Sequence, residues 1–348
     1  MRCNLIPTEE LLEAVVDVEN LEIQFGDKKI IHNVSFKVKA GEIIGFFGIS
    51  GAGKTTIIRV LTCQISKKNW TGFVKVTSLD PSIKKNHPQI LSNIGYVPQL
   101  EELNLYYDLS PLKNVEVFAS CYGMKKNEAK SIAKDLFSIL DIPEDTWNKP
   151  LKKMSGGEKK RVSMAIGLIH KPDVLFLDEP TTGVDAAKRY DVLSYLKKLN
   201  RRLGTTMFLI THDMEAALIV DRAAILRDGK LLEFDSNSNL ISKLPSDGLV
   251  ARLTIEDLNE EKISIIKKFS ESANIQIIRV GNEVIEVLMD EFEKNLPKLI
   301  QFIMNKEIKI NAMSRDMATF RRYFQLRIQE EEEKEKQIRI PMIRNKEV

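Results

Sequence analysis

Gly48, Ile49, Ser50, Gly51, Ala52, Gly53, Lys54 and Thr55 follow the spacing G-x-x-x-x-G-K-[ST], and Thr56 continues the run. Glycines let a backbone curl until successive N–H groups face phosphate oxygens. Lys54 is then placed to reach the β- and γ-phosphates of a nucleoside triphosphate, and the Thr55 hydroxyl to ligate Mg2+. The motif carries this meaning only between a strand and a helix. An apolar run, Ile43–Phe47, precedes it, and a helix-like stretch holding Ile57, Ile58 and Leu61 follows. The helix N-terminus would add its dipole to the anion site.

Further groups of the right chemistry stand at the ends of other apolar runs. Residues 174–180 read VLFLDEP, four apolar residues closing on Asp178 and Glu179. Neighbouring strand residues point to opposite sides, so one carboxylate can sit near a metal and the other near an attacking water. Gln99 closes the run IGYVPQ, and His212 follows TTMFLIT. Each is either a polar residue after a strand or part of a phosphate site. Residues 154–158 read MSGGE. Ser155 and Glu158 have capping-box spacing, with Val162, Ala165, Ile166 and Ile169 continuing one helical face. Gly156 and Gly157 are poor helix formers, each costing ~1 kcal/mol against Ala. Two of them in a first turn suggest a ligand approaching bare N–H groups. Phe25, in IQFGDKK, is either a core aromatic or a stacking face.

These groups need a scaffold that gathers strand ends. Short apolar runs alternate with amphipathic stretches from Val16 to about Leu244, the pattern of an α/β domain. Runs ending at Phe47, Val97, Leu177 and Ile210 read as buried parallel strands, and such sheets bind ligands beyond their carboxyl ends. Residues 1–15 read as a short helical lead-in. Leu244-Pro245-Ser246-Asp247-Gly248 reads as a linker. Beyond it, residues 249–328 give the order βαββαβ, predicting a small ferredoxin-like α+β domain. Residues 329–348, with EEEEKEK, form a charged tail.

Composition excludes more than it identifies. The 348 residues suggest about two domains. With 52 basic against 49 acidic residues, a net +3, no nucleic-acid partner is announced. The three cysteines have neither metal-ligand nor disulfide-framework spacing, which fits a reducing cytoplasm. No apolar stretch reaches the ~18 to 20 residues that span a bilayer, so membrane action would need a separate subunit.

Taken together these residues resemble the ATP-binding subunit of ATP-binding cassette (ABC) transporters, over about Val16 to Leu244. The resemblance identifies an aromatic loop at Phe25, Walker A at residues 48–55, a Q-loop at Gln99 and a signature at residues 155–158. It also identifies Walker B at residues 174–179, a D-loop at Gly183-Val184-Asp185 and an H-loop at His212. It implies a P-loop NTPase cassette with a mixed sheet core and a helical subdomain, MgATP as ligand, and two cassettes stacked head to tail as a homodimer or heterodimer. Each ATP then lies between one subunit's P-loop and the other's signature. Glu179 would polarise the attacking water, His212 would contact the γ-phosphate, and Asp178, Thr55 and Gln99 would hold Mg2+. Gln99 would also relay the state of the site to membrane helices. Met154 and Glu158 replace the usual signature Leu and Gln, yet no catalytic group is lost. The stretch around TTGVD looks most like exporters of drugs and polymers. That implies a chain on the cytoplasmic face of a membrane, coupled to a separate transmembrane permease. The competing readings are a soluble ABC ATPase and an importer ATPase with a substrate-sensing tail.

Overall fold

A computed structural model describes residues 14–273 and 275–344. The chain divides after Phe234 into two compact units. The first runs β1 (Ala14–Phe25), β2 (Lys28–Lys39), β3 (Ile43–Phe47), α1 (Lys54–Leu61), β4 (Trp70–Val76), α2 (His87–Asn93) and β5 (Ile94–Val97). It continues with α3 (Pro111–Cys121), α4 (Lys126–Ile139), α5 (Gly156–Leu168), β6 (Val174–Asp178), α6 (Ala186–Leu203), β7 (Thr206–Thr211), β8 (Arg222–Arg227) and β9 (Lys230–Asp235).

The main sheet has the order β5-β6-β7-β3-β8-β9. Every residue of β3, β6 and β7 is buried. That explains why these strands read as continuous apolar runs: both faces are covered, so neither face selects polar residues. The pairs β5–β6, β6–β7, β7–β3 and β3–β8 are parallel. Strand β9 returns across the two-residue turn Asp228-Gly229, which only an antiparallel pair can use. Both turn residues take positive φ, 46° and 73°, the hairpin geometry that suits the strand twist. The sheet is therefore mixed.

Strands β2-β1-β4 form a separate antiparallel sheet. Here apolar residues alternate with polar ones, since only one face is buried. Val16, Val18, Leu21 and Ile23 of β1 join Val34 and Phe36 of β2, Ile57 and Leu61 of α1, and Phe46, Phe176 and Phe208 of the main sheet in one core. Helices α3, α4 and α5 pack on one another as a helical subdomain.

The second unit contains α7 (Asn237–Ile241), β10 (Leu249–Ile255), α8 (Glu260–Ala273), β11 (Ile275–Arg279), β12 (Val284–Met289), α9 (Phe292–Asn305), β13 (Ile310–Met317) and α10 (Phe320–Arg344). The sheet order is β11-β12-β10-β13, antiparallel at every step. Ala251, Leu253, Ile285 and Val287 on the sheet pack with Ile263 and Ile266 of α8 and Leu299 and Ile303 of α9.

Three boundaries differ from the sequence reading. Ala14 and Val15, read as helical lead-in, belong to β1: Ala14 pairs with Lys39 of β2, and Val15 O accepts from Thr77 N just past β4; residues 1–13 lie outside the described residues. Residues 235–244, read as the end of the first domain, belong to the second unit, where α7 packs on α10. The linker around Ser246 is tied into that unit as well. Its hydroxyl donates to Met289 O at 2.8 Å and accepts from Phe292 N at 3.2 Å. The charged tail is helical through Arg344, outside which residues 345–348 are not described.

Glu286 of β12 holds α10 against the sheet. It is 6% exposed and accepts from Arg322 of α10 at 2.8 and 2.7 Å and from Arg252 of β10 at 3.0 Å. Removing the carboxylate would strand the Arg322 guanidinium, itself mostly buried. Glu286→Ala is expected to cost about 3–5 kcal/mol, the range for breaking a buried ion pair. Urea unfolding would measure it, and a loss below about 1 kcal/mol, the scale of an exposed pair, would show that this pair does not hold α10.

Candidate functional site

The carboxyl ends of β3, β5, β6 and β7 meet along one sheet edge, because the register pairs Phe47 with Thr211, Asp178 with Ile210 and Val97 with Leu177. A cavity of about 570 Å3 opens there. It is lined by the loop 49–56 together with Gln99, Asp178, Glu179, Ile210 and His212. Residues as far apart in sequence as Ile49 and His212 thus share one space.

The loop between β3 and α1 needs glycine at two places for different reasons. A Cβ at Gly48 would lie 2.4 Å from Leu226 O, so the loop leaves β3 in contact with the backbone of β8. Gly53 precedes α1 with φ +100°, and a Cβ there would meet Ile31 Cδ1 at 2.5 Å. Lys54 opens α1 and is buried. Its Nζ donates to Gly48 O at 2.6 Å and Ile49 O at 3.1 Å. Burial pushes the Lys54 ammonium below its ordinary pKa, while the charges of Glu179 and Asp178 pull it back up.

Asp178 closes β6 and is 9% exposed. Burial raises its pKa most. The hydrogen bond from Tyr96 and the charges of Lys54 and Lys160 favour the carboxylate, and neighbouring Glu179 opposes it. Tyr96 Oη donates to Asp178 Oδ2 at 3.3 Å. Burial and this carboxylate push the phenol up to about 12, so it remains a donor.

Glu179 sits one residue past the strand in the left-handed region, φ +48°. Such a conformation in a non-glycine residue stores strain and is found at functional turns. Its N–H is secured by Ile210 O at 2.8 Å. Oε1 accepts from His212 Nδ1 at 2.8 Å, and Oε2 from Thr211 Oγ1 at 3.1 Å and Thr182 Oγ1 at 3.4 Å. The Thr211 hydroxyl accepts from Asp213 N at 2.9 Å, so its proton is directed to Glu179. The turn aims Glu179 away from the alternation of β6, and it therefore faces His212 while Asp178 faces Tyr96.

Thr55, Gln99 and Asp178 bring only hard oxygen donors to the cavity. That set suits Mg2+ shared with a ligand's phosphates. Among the described residues no group of three or more His, Cys, Asp or Glu could hold a metal ion.

Other expected residues lie outside the cavity lining. Phe25 ends β1 with 43% of its surface exposed, so it is not a core aromatic. Ser155 caps α5 in a capping box with Glu158. Ser155 Oγ accepts from Glu158 N at 3.4 Å, while Glu158 Oε2 accepts from Ser155 N and Oγ, each at 2.8 Å. Among the described residues, packing does not account for the two glycines that follow. A Cβ on Gly157 meets nothing within 4 Å, and one on Gly156 meets only Gly183 O at 3.9 Å. Tyr96, Thr211 and Lys160 were not singled out from sequence. Tyr96 and Thr211 sit inside apolar runs, and their polar atoms in otherwise apolar strands were the available signal.

Residues 31–182 match the family described as ABC transporter. The chain is 30% identical over 264 residues to a linearmycin resistance ATP-binding protein of Bacillus subtilis, covering 76% of this chain and 82% of that protein. It is 31% identical over 290 residues to an Fe(3+) ions import ATP-binding protein of Fusobacterium nucleatum, covering 80% and 75%. Among solved structures, a dimeric ATP-binding cassette in a post-hydrolysis state with ADP and Pi superposes with a TM-score of 0.56 at 27% identity, over 64% of this chain and 98% of the other. Among the described residues no helix is long and apolar enough to cross a membrane.

Lys54→Ala removes a charged donor worth ~1.5–3 kcal/mol, so nucleotide affinity should fall roughly tenfold or more. Thr55→Ala should weaken the Mg2+ dependence of binding more than binding without Mg2+. Titration with a fluorescent ATP analogue, with Mg2+ or EDTA, measures both. Wild-type affinity in Lys54→Ala would rule out the loop as the phosphate site.

Proposed function

This chain belongs to the ATP-binding proteins of ABC transporters, ATP-hydrolysing P-loop cassettes, and from that premise we propose that it binds and hydrolyses MgATP between two head-to-tail subunits to drive export through a separate membrane permease. The observation that carries the reading is the single cavity shared by the loop 49–56, Gln99, Asp178, Glu179 and His212. In this reading the loop's N–H groups and Lys54 bind the phosphates, and Thr55, Gln99 and Asp178 hold Mg2+. The ion would neutralise charge on the β- and γ-phosphate oxygens. Glu179 takes the proton of the attacking water. His212, donating through Nδ1 to Glu179, orients that carboxylate and keeps Nε2 for the γ-phosphate. Phe25, exposed at the end of β1, supplies a face for the adenine.

The signature belongs to the neighbouring subunit's ATP. Gly156 and Gly157 leave open space where side chains would stand, as a ligand brought by a partner would require. Glu158 remains at its cap, where its charge is taken up by Ser155. The apolar side chains of Leu100, Leu103 and Tyr106, each more than half exposed just past Gln99, suit docking of a permease loop, which would hold the chain to the inner face of a cell membrane. Relatives named for linearmycin resistance and for Nod factor export support the outward direction.

An importer is the second reading, favoured by the iron-import relative that spans 80% of this chain. Identifying the membrane protein that co-purifies from detergent extract decides between them, and recovery of no membrane protein would instead favour a soluble ABC ATPase. We read residues 249–328 as a ferredoxin-like domain, supported by the strand order β11-β12-β10-β13. It bears none of the cavity residues, and we read its role as assembly.

Glu179→Gln should leave MgATP binding nearly intact while hydrolysis falls ~10²–10⁴-fold, the usual loss with a general base. ATP should then trap a dimer on gel filtration. Wild-type turnover in the mutant would remove Glu179 from the base role. A chain ended after Phe234 should retain MgATP binding and lose ATPase activity on dilution more steeply than the full chain. Faster turnover than the full chain at every concentration would make the second unit an inhibitor instead.

A further inference from the structure

Lys160 has no exposed surface, an uncommon situation for a lysine. It is the fifth residue of α5, one turn past the glycines of the signature. Its Nζ donates to Pro98 O at 3.2 Å and Gln99 O at 3.0 Å. The backbone of Gln99 is therefore held from below by α5, while its side chain lines the nucleotide cavity. A second buried bond joins the same two segments, from Ser163 Oγ of α5 to Asn104 Oδ1 at 3.0 Å.

A buried ammonium carries a desolvation cost, and an apolar side chain of similar length often serves stability as well or better. Filling the space under the Gln99 loop does not require a charge. Gripping two carbonyls requires protons to donate, which a thioether or alkyl group lacks and an ammonium supplies. The first turns of α5 rise only ~1.5 Å per residue as a hydrogen-bonded rod, so a displacement applied at Lys160 reaches Gly156 and Ser155 with little loss.

We propose that Lys160 is a positioning residue that clamps the Gln99 loop to α5, so that nucleotide arriving beside Gln99 re-aims the same chain's Ser155-Gly156-Gly157 turn toward the partner subunit's nucleotide. The clamp couples one site's occupancy to the other site's completion. It rests on the function proposed above.

The test uses the full chain with Lys160→Met and Lys160→Arg. Lys160→Met keeps the stem and removes the donor. Its melting temperature should equal or exceed that of the wild type, and its KM for MgATP should stay within about twofold, since the loop 49–56 is untouched. Its kcat should fall about tenfold or more, the size expected for losing hydrogen bonds to a charged group. In a Glu179→Gln background, Lys160→Met should raise the ATP concentration needed for dimerisation by a similar factor. Lys160→Arg, which keeps charge and donors, should recover much of the kcat. Wild-type kcat in Lys160→Met overturns the proposal. So does a loss of kcat accompanied by a lowered melting temperature, which would assign Lys160 to stability, or a folded Lys160→Arg no faster than Lys160→Met. An inactive wild type overturns the ATPase reading and the clamp with it, whereas an active wild type matched by Lys160→Met overturns the clamp alone.

Discussion

Four parallel strands in one register hold the chemistry of this protein. β5, β6, β7 and β3 are buried on both faces, so their backbone groups must pair with one another. That pairing fixes where each strand stops relative to its neighbours. The glycine loop after Phe47, Gln99 after Val97, Asp178 and Glu179 after Leu177, and His212 after Thr211 thereby come within reach of a single ligand. A one-residue slip in any pair would turn a strand's side chains to the opposite face and carry its terminal group away from the cavity. The second sheet and α1 stabilise this arrangement from one side through the aromatic core at Phe46, Phe176 and Phe208.

The carboxylates and the lysine at that edge restrain each other. Asp178 and Glu179 repel, and burial disfavours both the Asp178 carboxylate and the Lys54 ammonium. The attraction between Lys54 and the two acids offsets part of that cost. Tyr96 and Thr211 add hydroxyl donors from adjacent strands, one to each acid. The two acids are thus separated by their partners as much as by their position. The positive φ at Glu179 is the geometric device that sends it to His212 and not along the strand.

Much of this was legible in the sequence, and the reasons are specific. The loop 48–55 declares itself because glycine, lysine and threonine at that spacing, set between an apolar run and a helix-like stretch, are what a phosphate-cradling curl needs. The strand ends were legible because doubly buried strands must be apolar, which makes the first polar residue conspicuous. The order βαββαβ beyond the linker was legible because short apolar runs there alternate with amphipathic stretches. The boundary at residues 235–244 was not legible, since α7 is only five residues long and its affiliation depends on packing against α10, some 80 positions later. Tyr96, Thr211 and Lys160 escaped notice for a related reason. Their partners are brought near only by the sheet and by α5, and an isolated polar residue in an apolar stretch does not say what it faces.

The hold of Lys54 on Gly48 O and Ile49 O has a consequence for discrimination among anions. The ammonium gives two of its three protons to the loop's own carbonyls, so the loop does not present a bare cation to solvent. Chloride or a lone carboxylate offers one diffuse charge and few acceptors in return for breaking two bonds. A polyphosphate offers several fully charged oxygens, each a better acceptor than a carbonyl, and it reaches the N–H groups of the curl at the same time. In the function proposed above, the loop would thus favour a ligand by the number of negative oxygens it brings, preferring chains of phosphate to the single anions that surround them.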